Sequence, residues 1–314
     1  MTDLPLVSVL LTCYNHLPYI GECVEGVLAQ TYPNLQIIAI DDGSTDGTRE
    51  WLKENESRIA TRCPIKIIFS EQNLGTYGAL NAAIEASSGE LLAVLNDDDF
   101  WLPEKIASQV ELLRNDARIG LTHTDGEFVD QQSAVIKGSP LGFAYPRTAT
   151  GDMFPALIEF NKIIASSALF RRECLAKVGP FDPEFYGCGD WHMWVRIAEF
   201  WHVGFVHRSL TRYRVHDLNA CHNSDRMIED EWRIRTWLRG RTRELLQSDR
   251  SSNELRRALA HNLACIGTES AWRGNRGAAL VAYLDSLRLL PTRFKSLLRI
   301  GSLLLPAKLL RKLR

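Results

Sequence analysis

Leu91-Leu92-Ala93-Val94-Leu95-Asn96-Asp97-Asp98-Asp99 is the stretch on which the reading of this chain turns. An apolar run that reads as a buried strand breaks off into three consecutive carboxylates. Like charges side by side repel, and a hard divalent cation with oxygen ligands relieves that repulsion best. In open α/β sheets, ligands bind at the carboxyl ends of the strands. A carboxylate cluster there points to a metal holding a phosphate-bearing substrate. The alternative is a solvated acidic turn.

Upstream of that stretch, strand and helix signals alternate. Val7–Leu11 is a β-rich run ending in Thr12-Cys13-Tyr14-Asn15, and Glu22–Gln30 has apolar residues at helical spacing. Leu35–Ile40 is a second strand, followed by the turn and cap residues Asp41–Gly47 and a helix near Thr48–Asn55. Ile65–Phe69 is a third strand, and Gly75–Ala86 is a helix with Gly89 placed to terminate it. Pro103 opens a further helix over Glu104–Arg114. This rhythm predicts an α/β fold with a mostly parallel central sheet and helices on both faces. The middle is less regular. Ile119–Val129, Ile163–Phe170 and Val203–Val215 read as strands, Arg172–Val178 and Asp190–Phe200 as helices, and Lys137–Thr150 as a loop. From about Met227 only amphipathic helical signals remain, so we expect a catalytic domain over residues 1–225 and an α-helical C-terminal region over 226–314. Within it, Leu263–Pro291 reads as a helical hairpin.

The chain has 314 residues, 45% of them apolar, which suits a globular protein. Its formal net charge of -1 offers no global attraction for nucleic acid. Seven scattered cysteines form no C-x-x-C pair and no zinc spacing, which suits a reducing compartment. Leu6–Leu11 lacks a basic flank and reads as a first strand, not as a signal peptide. No apolar stretch approaches bilayer-spanning length.

Taken in order, Thr12–Asn15, Leu28-Ala29-Gln30-Thr31-Tyr32, Asp41–Asp46, Asn73-Leu74-Gly75, Asn96–Asp99, Gly189-Asp190-Trp191 and Tyr213-Arg214-Val215-His216 form a specific pattern over roughly residues 5–220. It resembles the family 2 glycosyltransferases, inverting enzymes with the nucleotide-sugar-binding GT-A fold. The resemblance implies a base pocket: Tyr14 as a flat surface, Asp42 accepting an imide N–H, and Thr12 as a polar contact. Asp42 read alone would more readily be a cap for the helix that follows it. Within the acidic cluster, the resemblance implies Asp97 on the ribose and Asp98 on Mn2+ or Mg2+. Asp99 is a further candidate metal ligand. His216 is a candidate metal or phosphate contact, or else a surface histidine. Asp190 is implied as the general base that deprotonates the acceptor hydroxyl. Gly187-Cys188-Gly189 before it would allow close backbone approach to a substrate, and the start of a helix favours its negative charge. Its alternative is again an N-cap.

Several positions depart from the family pattern. Gly189 precedes the base where an acid is common, His192 follows where a second acid is common, and Leu80 stands where an Arg often meets phosphate. Phosphate charge would then fall to the metal, His216 or Arg214. The resemblance implies transfer from a nucleotide-diphosphate sugar, UDP- or dTDP-linked, to a saccharide or lipid-linked acceptor in cell-surface polysaccharide synthesis. The rival readings are an inactive binding or scaffolding protein and a nucleotidyltransferase; the latter would want a glycine-rich basic loop after the first strand. No G-x-G-x-x-G follows that strand, which argues against a dinucleotide dehydrogenase. From Arg288 to Arg314 there are eight Lys/Arg and no acid. Leu297, Leu298, Leu304, Leu305, Leu309, Leu310 and Leu313 are interspersed among them. Such a basic amphipathic tail either lies on an anionic membrane or packs on the catalytic domain. The expected location is cytoplasmic, peripheral on the inner face of the membrane.

Overall fold

A computed structural model describes residues 4–138, 140 and 147–304. These form two compact units. One runs through Met153 and resumes over Lys162–Asn223; the other takes Phe154–Asn161 and the chain from Ser224 onward.

The first unit is built on an eight-stranded sheet. In chain order its strands are β1 (Val7–Cys13), β2 (Leu35–Asp41), β3 (Ile65–Phe69), β4 (Leu91–Asn96), β5 (Phe100–Trp101), β6 (Ile119–Val129), β7 (Leu169–Arg171) and β8 (His202–Arg214). Across the sheet they lie β3-β2-β1-β4-β7-β6-β8-β5. The first four run parallel, as the alternating pattern predicts. The far half is mixed: β7 is antiparallel to both neighbours, β6 and β8 are parallel, and β5 is antiparallel to β8. The irregular middle of the sequence corresponds to this half. Ile163–Phe170 is not one long strand, because a 3-10 turn at Ala165–Ser167 delays pairing until Leu169.

Helices α1 (Leu17–Leu28), α2 (Thr48–Ala60), α3 (Gly75–Ala86), α4 (Lys105–Asn115), α6 (Glu173–Val178) and α7 (Gly189–Ala198) complete this unit. Val7, Val9, Leu11 and Cys13 of β1 share one core with Ile20, Cys23, Val24 and Val27 of α1 and Leu52 and Ile59 of α2. On the other side, Ala79, Leu80 and Ala83 of α3 are buried where α3 meets β1 and β2. Covered on both faces, β1 and β4 read as continuous apolar runs and do not alternate. Gly89 does not terminate α3, which ends earlier at Ala86. Its bare Cα lies against β1, where a Cβ would stand 2.4 Å from Ser8 Oγ.

β1 has β2 on one side and β4 on the other, so the strand order reverses there. Thr12 is in register with Ile40 and Asn96, and Cys13 with Asp41. The carboxyl ends of β1, β2 and β4 therefore open onto one crevice at a switch point.

The second unit is helical: α5 (Phe154–Glu159), α8 (Ser224–Gln247), α9 (Asn253–Trp272), α10 (Arg276–Leu289) and α11 (Phe294–Ser302). α9 and α10 form the expected hairpin, turned at Gly274, whose φ of +82° glycine adopts freely. The sequence pattern does not anticipate that α5 belongs here, since its partners are distant in the chain. No described helix is long and apolar enough to cross a membrane. Tail residues 305–314, with Leu305, Leu309, Leu310 and Leu313, and residues 141–146 of the loop lie outside the described residues.

Candidate active site

Strand β1 ends in a buried Thr12, whose Oγ1 lies 3.4 Å from Asn96 Oδ1 on β4. The chain then turns through Asn15, whose φ of 56° is in the left-handed region that Asn tolerates. Asn15 ties this turn to the one after β2: its N–H donates to Ser44 Oγ at 3.1 Å, and its Oδ1 accepts from the Thr45 N–H at 2.8 Å. Tyr14, just before Asn15, is 47% exposed.

Asp42, just past β2, does not cap the helix that follows. Asp46 does that work, accepting from the Thr48 N–H at 3.0 Å. Asp42 is buried and instead accepts the Leu74 N–H at 2.7 Å, joining β2 to the start of α3. Burial raises its carboxyl above the ordinary range, and the Leu74 and Gly75 N–H groups pull it partly back.

The three acids of the cluster point to three different partners. Asp97 Oδ2 accepts the Tyr14 N–H at 3.0 Å, and its Oδ1 pairs with His16 Nδ1 at 2.7 Å. Both oxygens thus hold the loop after β1. Asp98 Oδ2 faces His216 Nε2 at 3.1 Å and accepts from Asn219 Nδ2 at 3.3 Å. Its Oδ1 is buried and has no hydrogen-bond partner among the described residues. Asp99 turns inward: its Oδ2 accepts from Ser166 Oγ at 2.5 Å and its Oδ1 from the Arg214 N–H at 2.9 Å.

Protonation follows from these partners. Burial pushes Asp98 up, but the His216 hydrogen bond and the charges of His16 and His216 outweigh it and hold the carboxyl below its usual range. Asp99 goes the other way, well above that range, through burial and the charge of Asp98. Burial works against a charged His16, yet the Asp97 hydrogen bond and three nearby carboxylates raise it to about 9.

His16, Asp98 and His216 bring their ligand atoms within 4.8 Å of one another. This is the described residues' one cluster of metal-ligating type, and it revises the expected donor set. Asp99 is not in it: its carboxylate faces Ser166 and the β8 backbone instead. His16, which the sequence reading passed over, is. Its signal was its position directly after Thr12-Cys13-Tyr14-Asn15. The donors fit a divalent cation, since the Asp98 carboxylate stands with two imidazoles and its buried Oδ1 has no partner among the described residues.

Arg214 is a second revision. It was a candidate for phosphate, but its guanidinium is fully buried and spent on the chain itself. Nε donates to the Asp98 carbonyl at 2.9 Å, Nη1 to the Asp130 carbonyl at 2.9 Å and Ser133 Oγ at 3.0 Å, and Nη2 pairs with Glu22. It shapes the acidic turn from behind. Leu80 is buried in the core under α3, so an Arg at that position would have no water to reach.

Asp190 lies in the first turn of α7, where the positive end of the helix dipole favours a carboxylate. Tyr77 Oη on α3 donates to its Oδ1 at 3.5 Å. Gly189 also makes room within the fold: a Cβ there would stand 2.7 Å from the Tyr77 ring. α3 also grips the loop before α7. Asn81 Nδ2 donates to the Phe181 carbonyl at 2.8 Å, and Asn81 Oδ1 accepts the Phe181 N–H at 3.0 Å. One helix therefore carries Asp42's contact at its start and Asp190's a turn later. His192 is buried with its ring 5.0 Å from that of Phe185.

Residues 8–179 match the family described as Glycosyl transferase family 2. An uncharacterized glycosyltransferase of Nostoc is 30% identical over 68% of this chain, which spans 66% of that relative's length. The Escherichia coli enzyme WfgD, a UDP-Glc:alpha-D-GlcNAc-diphosphoundecaprenol beta-1,3-glucosyltransferase, is 26% identical over 73% of this chain and 85% of its own. The mannosyltransferase PcManGT of Pyrobaculum calidifontis, solved with GDP-Man and Mn2+, superimposes with a TM-score of 0.56 over 99% of this chain and 79% of its own. At 19% identity, that likeness is one of fold.

Proposed function

Because this chain belongs to glycosyl transferase family 2, we propose that it is an inverting, metal-dependent transferase. It moves a sugar from a nucleoside diphosphate to a hydroxyl of a saccharide or lipid-linked acceptor in cell-surface polysaccharide synthesis. The observation that carries this reading is the buried, unpartnered Asp98 Oδ1 beside His16 and His216, at the switch point where nucleotide ligands bind. The names of relatives add support. WfgD uses a UDP-sugar and a diphosphoundecaprenol-linked acceptor, and PcManGT was solved with Mn2+ and GDP-Man. A UDP- or dTDP-linked donor suits the pocket of Tyr14 and Asp42.

Asp98, His16 and His216 would hold the cation, and their mixed nitrogen and oxygen donors suit Mn2+ better than Mg2+. The chemistry a cation held there would supply is Lewis-acid neutralisation of the charge on the departing diphosphate. Tyr14 offers its face to the base, Asp42 accepts from it, and Thr12 adds a polar contact. Asp97 holds the loop that presents Tyr14 through one bond on each oxygen, and its remaining lone pairs would accept from the ribose. Asp190 takes the proton of the acceptor hydroxyl as that oxygen bonds to the anomeric carbon; the bond to the nucleoside diphosphate breaks on the opposite side.

Calorimetry of UDP with and without Mn2+ tests the donor site. Asp98→Ala should lower the Mn2+-dependent affinity by at least about tenfold. Unchanged affinity would remove Asp98 from the metal site. Asp190→Asn should bind UDP and Mn2+ like the parent but transfer sugar about 100- to 10,000-fold more slowly. Parental turnover by that variant would show that the proton goes elsewhere.

A further inference from the structure

Helix α11 has two apolar faces, and the second unit covers one of them. Leu303 and Ile300 pack with Ala264, Ala271, Ala279 and Tyr283, and Ser296 is buried on the same side. Away from that core, Phe294, Leu297, Leu298 and Leu304 are 65%, 53%, 58% and 88% exposed. At 100° per residue Phe294, Leu297 and Leu298 fall on one stripe apart from the buried one, and Leu304 follows just past the helix end. A helix in water ordinarily turns polar residues outward. Four large apolar side chains gathered on the outer face mark a contact surface.

Charge identifies what that surface meets. Lys295 is exposed within the stripe's own turn, whereas Arg299 turns to the unit itself and donates to Thr268 Oγ1 at 2.7 Å. Between Arg288 and Arg314 the sequence has eight Lys/Arg and no Asp or Glu. A second copy of this chain would bring the same cations against themselves. A bilayer surface rich in anionic phosphate headgroups complements both features at once: the stripe enters the acyl boundary and the cations meet the phosphates.

We propose that α11 is a membrane-docking helix that lays Phe294, Leu297, Leu298 and Leu304 into the surface of an anionic bilayer. The proposal goes beyond the transferase reading and does not rest on it.

Flotation of the full chain with phosphatidylcholine vesicles, with and without phosphatidylglycerol, tests it. The parent should float with the anionic vesicles, less so as salt rises, and stay behind with phosphatidylcholine alone. Leu297→Ser together with Leu298→Ser should lower the bound fraction about tenfold or more at every salt concentration. Its melting temperature should match the parent's, because both side chains are already more than half exposed. Lys295→Glu should reduce binding at low salt and have little effect at high salt. If the double variant melts early, the Lys295→Glu result decides alone. Absence of the parent from the floating fraction would overturn the proposal, as would equal flotation of both variants. So would a parent dimer in ultracentrifugation that the double variant dissolves while vesicles bind neither.

Discussion

Three adjacent aspartates of the same chemistry end in three different electrostatic situations. Asp97 pairs with a protonated His16, Asp98 faces two imidazoles with one oxygen unspent, and Asp99 is buried between Ser166 and the β8 backbone. Asp98→Ala and Asp99→Asn should therefore fail differently. Asp99→Asn replaces one buried acceptor by a donor facing Ser166 or the Arg214 N–H. It should cost about 1–3 kcal/mol of stability while Mn2+-dependent UDP affinity stays near the parent's. Paired urea melts and calorimetry check this, and a selective loss of metal binding with normal stability would return Asp99 to the ligand set. The sequence marks the acidic cluster clearly, but not which acid does what. Direction of a side chain at a strand end depends on the turn that follows, and this turn is set by β5 and by Arg214, more than a hundred residues away.

Among the elements, α3 organises the site more than its sequence announces. Its Ala-rich pattern reads only as a helix, yet Leu74, Tyr77 and Asn81 on it contact Asp42, Asp190 and the loop before α7. Gly189→Ala tests that arrangement. Its Cβ would press on the buried Tyr77 ring at 2.7 Å, which should cost about 1–3 kcal/mol. Because Tyr77 reaches Asp190, turnover should fall as well while UDP affinity holds. Thermal melts alongside initial rates decide it; parental stability would mean that the ring has room to yield. The longer helices and strands from Val7 to Asn115 were legible, since each carries a full period of pattern, although α1 begins five residues before the expected start and α2 runs five residues past its expected end. The two-residue β5 and the three-residue β7 were not. They exist because long β8 and β6 stand ready to pair with them, and no local pattern records a distant edge.

At the scale of the whole molecule, stability should fall in acid through one buried histidine. His123 is a buried residue of β6, with Nε2 2.8 Å from Thr148 Oγ1 and its ring 4.8 Å from that of Phe205 on β8. Burial pushes its pKa down to about 3, whereas in the unfolded chain it titrates near the ordinary value of 6.5. The unfolded state then binds the proton first as pH drops. The stabilisation is intact above about pH 6.5 and is lost as pH falls toward 3, at up to about 1.4 kcal/mol per pH unit. Denaturant melts at pH 7 and pH 5 should show that slope in the parent and a shallower one in His123→Gln; equal slopes would assign the acid sensitivity to other groups. The repeating βα pattern, the order of the motifs and the acidic strand end were enough, read from the chain alone, to determine the fold class and the family. These are local or periodic signals, set by backbone geometry and burial. Tertiary structure alone decided that His16 joins Asp98 and His216, that Asp99 and Arg214 turn away from the crevice, and that Gly189 makes room for Tyr77. Each of these depends on which distant side chain fills the space beside it, and short-range pattern carries no record of that.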